Sequence, residues 1–406
     1  MNILLINTSE YAGGAAIAAN RLMKALNESG TNANMLVRDK NSFENNIYTI
    51  NNSRIKRFIN FIRFLWERFI IFIANGFDRK SLFQVSTANT GTDISKHPLV
   101  QTADIIHIHW INQGFLSLSD IKSLINSGKP IVWTIHDLWI TNGIYHYNSE
   151  KSSNKFIAKL DKIVFNRKSK IGLHNVTFVG CSKWIVDEAR KSRLLTDAKI
   201  ISIPNPIDLS LFHPIKKMEA RSLLSLPSNK YILLFAAAKI SDKRKGLDSF
   251  IDACCILKKK FPGIAEKIEI AVMGNISEKE LNIYPFPTHI LGYISDIEKM
   301  ITIYSCADTF IIPSLEDNLP NTIMESMSCG TPCIGFNTGG IPEMIDHMQN
   351  GYVAEYKNAE DLAKGINWIL NEANYAELSA NARNKVVESY SENIIAEKYI
   401  ELYKSL

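Results

Sequence analysis

At 406 residues the chain is long enough for two domains with separate cores, and its 46% hydrophobic and 21% charged content is ordinary for a globular protein. A net charge of +5 is too small an excess to argue for nucleic acid, though it suits an anionic ligand or an anionic membrane surface. The six cysteines lack the paired spacing with histidine of a zinc site, and no uninterrupted apolar run is long enough to span a bilayer.

Asn2 to Ile6 reads as a strand with no basic leader before it, so no secretory signal is expected. Several cysteines fall in apolar runs, as reduced thiols of a cytosolic protein would. Strand-length apolar runs then recur at 35–37, 105–108, 131–135, 177–179, 199–203, 232–235, 268–273, 309–312 and 333–336, with helical patterns between them. Runs this apolar suit strands covered on both faces, hence parallel sheets flanked by helices. The two prolines Pro204 and Pro206 mark the boundary between two halves of similar size. The domains expected are 1–205, 206–385 and a C-terminal segment, 386–406, that returns to the first.

After the first strand, Gly13-Gly14 leads into a helix from about Ile17 to Leu26. Small residues in such a turn let the backbone approach a phosphate, although a simple tight turn reads the same way. From Arg54 to Lys80 the pattern is helical, with Lys56, Asn60, Arg63 and Glu67 in one narrow polar stripe and apolar residues elsewhere. Two readings stand side by side. One is a core helix with a single exposed seam. The other is an in-plane membrane or acceptor-docking helix, whose Lys56, Arg57, Arg63 and Arg68 could contact anionic head groups.

His109-Trp110 and His136-Asp137 fall where strands run into loops; a His-Asp pair there could orient or protonate a hydroxyl, and His107, inside its strand, is assigned to packing. Beyond the strand at 232–235, Lys239, Lys243, Arg244 and Lys245 crowd one loop before Gly246. They would neutralise a diphosphate, or they form an ordinary solvated basic loop. The strand at 309–312 leads to Glu316, Asp317 and a helix start at Asn318-Leu319-Pro320. Free backbone N–H groups near Asn321 and Thr322 make an anion site, and Glu325 sits eight residues after Asp317 in the early turns of the helix. Ser391 to Leu406 reads as an amphipathic helix.

Pro313-Ser314, Asp317 to Glu325, Cys329-Gly330-Thr331-Pro332 and Gly339-Gly340-Ile341-Pro342-Glu343 follow one another in the order of a known signature. With them the chain resembles the retaining glycosyltransferases of family 4, of the bacterial surface-polysaccharide type. The resemblance implies the GT-B fold: two Rossmann-like α/β domains with parallel sheets facing across a cleft. It implies transfer of a sugar from a nucleotide diphosphate sugar to a hydroxyl of a glycan, or lipid-linked glycan, acceptor, with retention. Glu325 would bind the donor ribose. The family has Glu where Asp317 stands, so Asp317 or its neighbour Glu316 would face the donor sugar. Gly13, Gly14, Lys239, Arg244, Lys245, Asn321 and Thr322 would hold the donor diphosphate. His136 would lie near the transferred sugar, with His109, Trp110 and Asp137 on the acceptor side. No D-x-D is present, so no metal and no cofactor are expected. The resemblance implies a cytoplasmic enzyme, held peripherally at the inner face of the membrane if the 54–73 segment docks there. A sugar-nucleotide epimerase of the same fold, or a binding subunit without chemistry, are the competing readings.

Overall fold

The computed structural model describes residues 1–79, 82–151, 154–276 and 282–406. It divides into two compact units, Met1–Pro206 with Ile395–Leu406, and Ile207–Ile394.

The first unit holds strands β1 (Asn2–Ser9), β2 (Asn32–Asp39), β3 (Ile47–Thr49), β4 (Ile105–Ile108), β5 (Ile131–Ile135), β6 (Val176–Gly180) and β7 (Lys199–Ser202). They form one seven-stranded sheet in the order β3-β2-β1-β4-β5-β6-β7, with every pairing parallel. The second unit holds β8 (Tyr231–Lys239), β9 (Ile268–Asn275), β10 (Thr288–Gly292), β11 (Thr309–Ile312), β12 (Cys333–Phe336) and β13 (Gly351–Ala354). Its sheet runs β10-β9-β8-β11-β12-β13, again all parallel. In both sheets the winding reverses beside the first strand, between β1 and β4 and between β8 and β11. The crevice at the carboxyl ends of such a pair is where open α/β sheets take ligands.

The central strands are buried along their whole length, which is why they stood out as continuous apolar runs. The sequence reading missed β3, β10 and β13. All three are edge strands, short, and carry partly exposed positions. The helix after Gly13 runs Gly14–Glu28, longer at both ends than expected. The last helix is Glu392–Lys404, and Ile395, Ala396, Tyr399, Leu402 and Tyr403 pack with β1, β2, β4 and the Gly14–Glu28 helix in one core. Residues 386–394 stay with the second unit, so the returning segment is shorter than the 386–406 expected.

Helix Arg54–Ala74 overturns the core-helix reading of its segment and leaves the docking reading with fewer cations. It ends at Ala74, Lys80 lies outside the described residues, and from Asn60 on its polar stripe is turned inward. Asn60, Glu67 and Arg68 are buried, whereas Ile55 is 73%, Phe58 64%, Phe61 54% and Trp66 52% exposed. The cause is the irregular stretch that follows, whose backbone groups have no sheet to pair with. Glu67 Oε1 accepts from Thr87 N at 2.7 Å and Ala88 N at 3.0 Å, and Asn60 Oδ1 accepts from Thr92 Oγ1 at 2.7 Å. Arg68 pairs with Glu67 at 3.0 Å and donates to the carbonyls of Leu82 and Val85. Arg63 is half-buried and donates to Asn60 and Thr92. Arg63 and Arg68 are therefore taken up inside, and are not free for head groups.

Candidate functional site

In the second unit the switch point gathers the basic loop, the acidic loop and a glycine turn. The strand β8 ends at Lys239, which is exposed. Gly246 closes the basic loop with φ +73, and a Cβ there would lie 1.9 Å from the Pro313 carbonyl oxygen. Only glycine permits both that φ and that approach. Leu315 N donates to Arg244 O at 2.7 Å, so the two loops are stitched together. The stitch brings Lys245 Nζ to 2.6 Å from Asp317 Oδ2, which also accepts from Ser314 Oγ at 3.3 Å. Arg244 is engaged nearer home, on Asp242 at 2.8 Å. Gly339, at φ +58, presses on the Asp317 backbone, and Gly340 N donates to Asp317 O at 3.2 Å. Asp317 is thus held from three sides, while Glu316, also buried, is its neighbour on the same loop.

Helix Asn321–Ser328 starts from this corner. Its N-cap is Pro320, which offers no side-chain cap, so the amides at Asn321 and Thr322 form a helix N-terminus of the kind that binds anions. Gly330, at φ 74, ends the helix as its position suggested. Glu325 is 2% exposed, and its Oε2 accepts from the Tyr304 hydroxyl at 2.9 Å. Tyr304 carries no sequence signal for this role, since it lies on the preceding helix Ile297–Cys306.

In the first unit, Gly13 has φ 93 and open space where a Cβ would be. It precedes helix Gly14–Glu28, which has no side-chain N-cap. The end of β1 and the loop after β4 are joined by Thr8 N to Trp110 O at 2.7 Å and Trp110 N to Asn7 Oδ1 at 2.8 Å. His109 Nδ1 lies 3.0 Å from His136 Nε2, and His136 Nδ1 lies 3.6 Å from Cys181 Sγ. Burial lowers the His136 pKa to about 4, and pushes His109 down as well, so both rings are neutral near pH 7. His107 is inside, as assigned, between Tyr403 and Thr134 at 2.7 Å each.

Asp137 accepts from His146 Nδ1 at 2.6 Å, Trp110 Nε1 at 3.0 Å and Trp139 N at 2.9 Å. Burial pushes its carboxyl up, but His146 and these hydrogen bonds outweigh it and hold it below the usual range. The Asp137 side chain braces its loop, and His146, not singled out from sequence, is its main partner.

Among the described residues no cluster of three or more His, Cys, Asp or Glu is arranged to hold a metal ion. No helix there is long and apolar enough to cross a membrane.

Two family models match. "Glycosyltransferase Family 4" covers residues 12–211 and "Glycosyl transferases group 1" covers 217–385. Among curated relatives, the chain is 28% identical over 265 residues to an N,N'-diacetylbacillosaminyl-diphospho-undecaprenol alpha-1,3-N-acetylgalactosaminyltransferase of Campylobacter jejuni, covering 61% of this chain and 65% of that one. It is 23% identical over 312 residues to a UDP-Gal:alpha-D-GlcNAc-diphosphoundecaprenol alpha-1,3-galactosyltransferase of Escherichia coli, covering 74% and 75%. Among solved structures, Anabaena HepE in complex with UDP superposes with a TM-score of 0.68 at 15% identity, over 100% of both chains, which is a likeness of fold. The fold is the GT-B type, two parallel-sheet α/β domains, and the chain belongs to the glycosyltransferases, family 4 in its first half and group 1 in its second.

Proposed function

We propose that this glycosyltransferase moves a sugar from a nucleotide diphosphate sugar to a hydroxyl of a lipid-linked glycan, with retention and without a metal, in bacterial surface-polysaccharide synthesis. The observation that carries the reading is the convergence at the second switch point of Lys245, Asp317, Glu325 and the N-terminus of helix Asn321–Ser328. In the transfer the anomeric carbon loses its bond to the diphosphate oxygen and gains one to the acceptor oxygen. The acceptor proton leaves with the departing diphosphate. Charge on that diphosphate is met by Lys245, with Lys239 and Arg244 in reach of the same loop, and by the amides at Asn321 and Thr322. Glu325, anchored by Tyr304, takes the ribose hydroxyls through charge-assisted hydrogen bonds. Asp317, with Glu316 beside it, takes the donor sugar. The open space where a Cβ of Gly13 would lie supports the assignment of Gly13 and Gly14 to donor phosphates. His109 and Trp110 belong to the acceptor side, and His136, held neutral against His109, orients the sugar.

The undecaprenol-linked acceptors named for the two relatives support a lipid-linked acceptor here. The outward apolar face of helix Arg54–Ala74, with Arg54, Lys56 and Arg57 exposed at its first turn, supports a peripheral place on the inner membrane face. The test is a thermal-shift panel of sugar nucleotides followed by a transfer assay with the stabilising donor and membrane extract as acceptor. Binding stabilises the fold by mass action, so a true donor raises Tm with concentration. Sugar transfer to lipid supports the reading. Epimerised nucleotide sugar without acceptor would replace it with an epimerase, and binding with no turnover would leave a binding subunit.

A further inference from the structure

The outward face of helix Arg54–Ala74 is not a uniform apolar strip. Ile62, Leu65, Trp66, Phe69 and Phe72 line one wall of a groove, and Leu82, from the chain that returns past the helix, lines the other. Its volume is about 500 Å³, within the range of small-molecule sites. Two arginines also line it. Arg79 is exposed. Arg68 is buried between the Phe64 and Phe83 rings, and its Nε has no hydrogen-bond partner among the described residues. A groove walled by hydrocarbon and lined by guanidinium suits a ligand that is an apolar chain ending in an anion.

The charge around the groove narrows the choice. The only acid on the helix, Glu67, is buried and paired with Arg68. Every exposed charge on the helix itself is positive, so a second copy of this chain laid on the face would meet like charge. The neighbouring helix Lys155–Lys168 continues the pattern, with Phe156 and Ile163 exposed beside Lys155, Lys159 and Lys162. The two helices touch, and Asn154, just before the second, reaches Gly76, just after the first.

We propose that the groove holds the phosphate-proximal isoprene units of a polyprenyl phosphate-linked acceptor, with Arg79 on its phosphate. This rests on the reading of the acceptor as lipid-linked and adds where its hydrocarbon lies. The chain is gripped by protein side chains after leaving the bilayer, which separates acceptor recognition from docking on the membrane surface.

The experiment titrates the full chain with undecaprenyl phosphate in detergent, following tryptophan fluorescence, with Trp66→Phe to assign the signal. Inorganic phosphate and hexadecyl phosphate are run as competitors. Saturable binding is expected for wild type, with neither competitor matching it. Leu65→Glu, which puts a charge against the hydrocarbon, is expected to weaken it by about tenfold or more. Ile55→Ser with Phe58→Ser, on the helix but outside the groove, should lower binding to anionic liposomes and leave this affinity unchanged. Unaltered affinity in Leu65→Glu, with its thermal melt intact, would overturn the proposal. Equal affinity for hexadecyl phosphate would also overturn it, leaving a general acyl site. Liposome binding without undecaprenyl phosphate binding would remove the groove and keep the docking face. Donor binding with neither would remove both and leave the transferase assignment standing.

Discussion

Glu325 offers the sharpest test of the proposed donor site, because it is assigned to the ribose and not to the diphosphate. Its carboxylate is almost fully enclosed, and one oxygen is held by the Tyr304 hydroxyl at 2.9 Å. Replacing it with alanine would remove packing as well as charge, so Glu325→Gln is the cleaner change. Glutamine keeps the volume and one carbonyl acceptor for Tyr304 while removing the charge. A charge-assisted hydrogen bond contributes about 1.5–3 kcal/mol and a neutral one about 0.5–1.5, so donor binding should weaken by about 1–2 kcal/mol. That is roughly 5- to 30-fold in Kd. Glu325→Ala should lose about 1–3 kcal/mol of donor binding. Calorimetry with the nucleoside diphosphate that gives the largest thermal shift measures this without any sugar or acceptor. The loss should be present for the nucleoside diphosphate and absent for pyrophosphate, since the residue is assigned to the ribose. Tyr304→Phe should weaken binding in the same direction by less, through a carboxylate no longer held in place. Wild-type affinity in Glu325→Gln, with an unchanged melt of the free protein, would refute the assignment.

Lys245→Ala should lower kcat by about 10²–10³-fold if it meets charge on the departing diphosphate. Its ion pair with Asp317 is part-exposed, so the cost in stability should be only about 1 kcal/mol, read from urea unfolding. Turnover should survive EDTA, because Lys245 and the helix N-terminus are assigned to the diphosphate; loss on chelation with recovery on adding Mg²⁺ would reverse that assignment. Burial lowers His136 to about 4 and His107 to about 3, so the unfolded chain binds protons that the folded one does not. Stability should therefore be full above the ordinary histidine value near 6.5 and fall as pH drops toward 4, by about 1.4 kcal/mol per unit for each histidine. His107→Gln should flatten that slope in chemical unfolding between those limits. The wild type should co-sediment with anionic liposomes at low salt, and neutralising Lys56 and Arg57 to glutamine should weaken this by roughly 30-fold, at about 1 kcal/mol per lost basic residue. Unchanged sedimentation of the double variant would remove the electrostatic part of docking.

Much of the corner around Asp317 was legible because its contacts are local. Asp317 and Glu325 share a loop and the helix it opens, and Gly339 follows in the loop after the next strand. Spacing along the chain therefore fixes their neighbourhood. What was not legible crosses between elements. The grip of Tyr304 on Glu325 depends on how two helices pack, and nothing in either segment encodes it. The same holds for Asp137. Residues next to each other at a strand end point to opposite faces. Asp137 turns toward His146 nine residues on, and His136 toward His109 in the loop after the neighbouring strand.

The 54–74 helix shows a different limit. Its periodicity correctly separated a polar stripe from an apolar remainder, but periodicity does not say which side faces the protein. The usual expectation puts the apolar side inward, because burial of apolar surface drives folding. Here the inward side is set by the needs of residues 82–92, whose backbone amides and side chains require acceptors that Glu67 and Asn60 supply. An unpaired buried backbone group costs about 1–3 kcal/mol, so several such groups can outweigh the burial of a few exposed side chains. A helix held from its polar side has its apolar side free for something other than the core. The exposed aromatic and aliphatic side chains therefore do not stabilise this fold by being where they are. They cost little if a bilayer or a lipid chain covers them in use, and that cover is what the liposome and polyprenyl phosphate titrations measure.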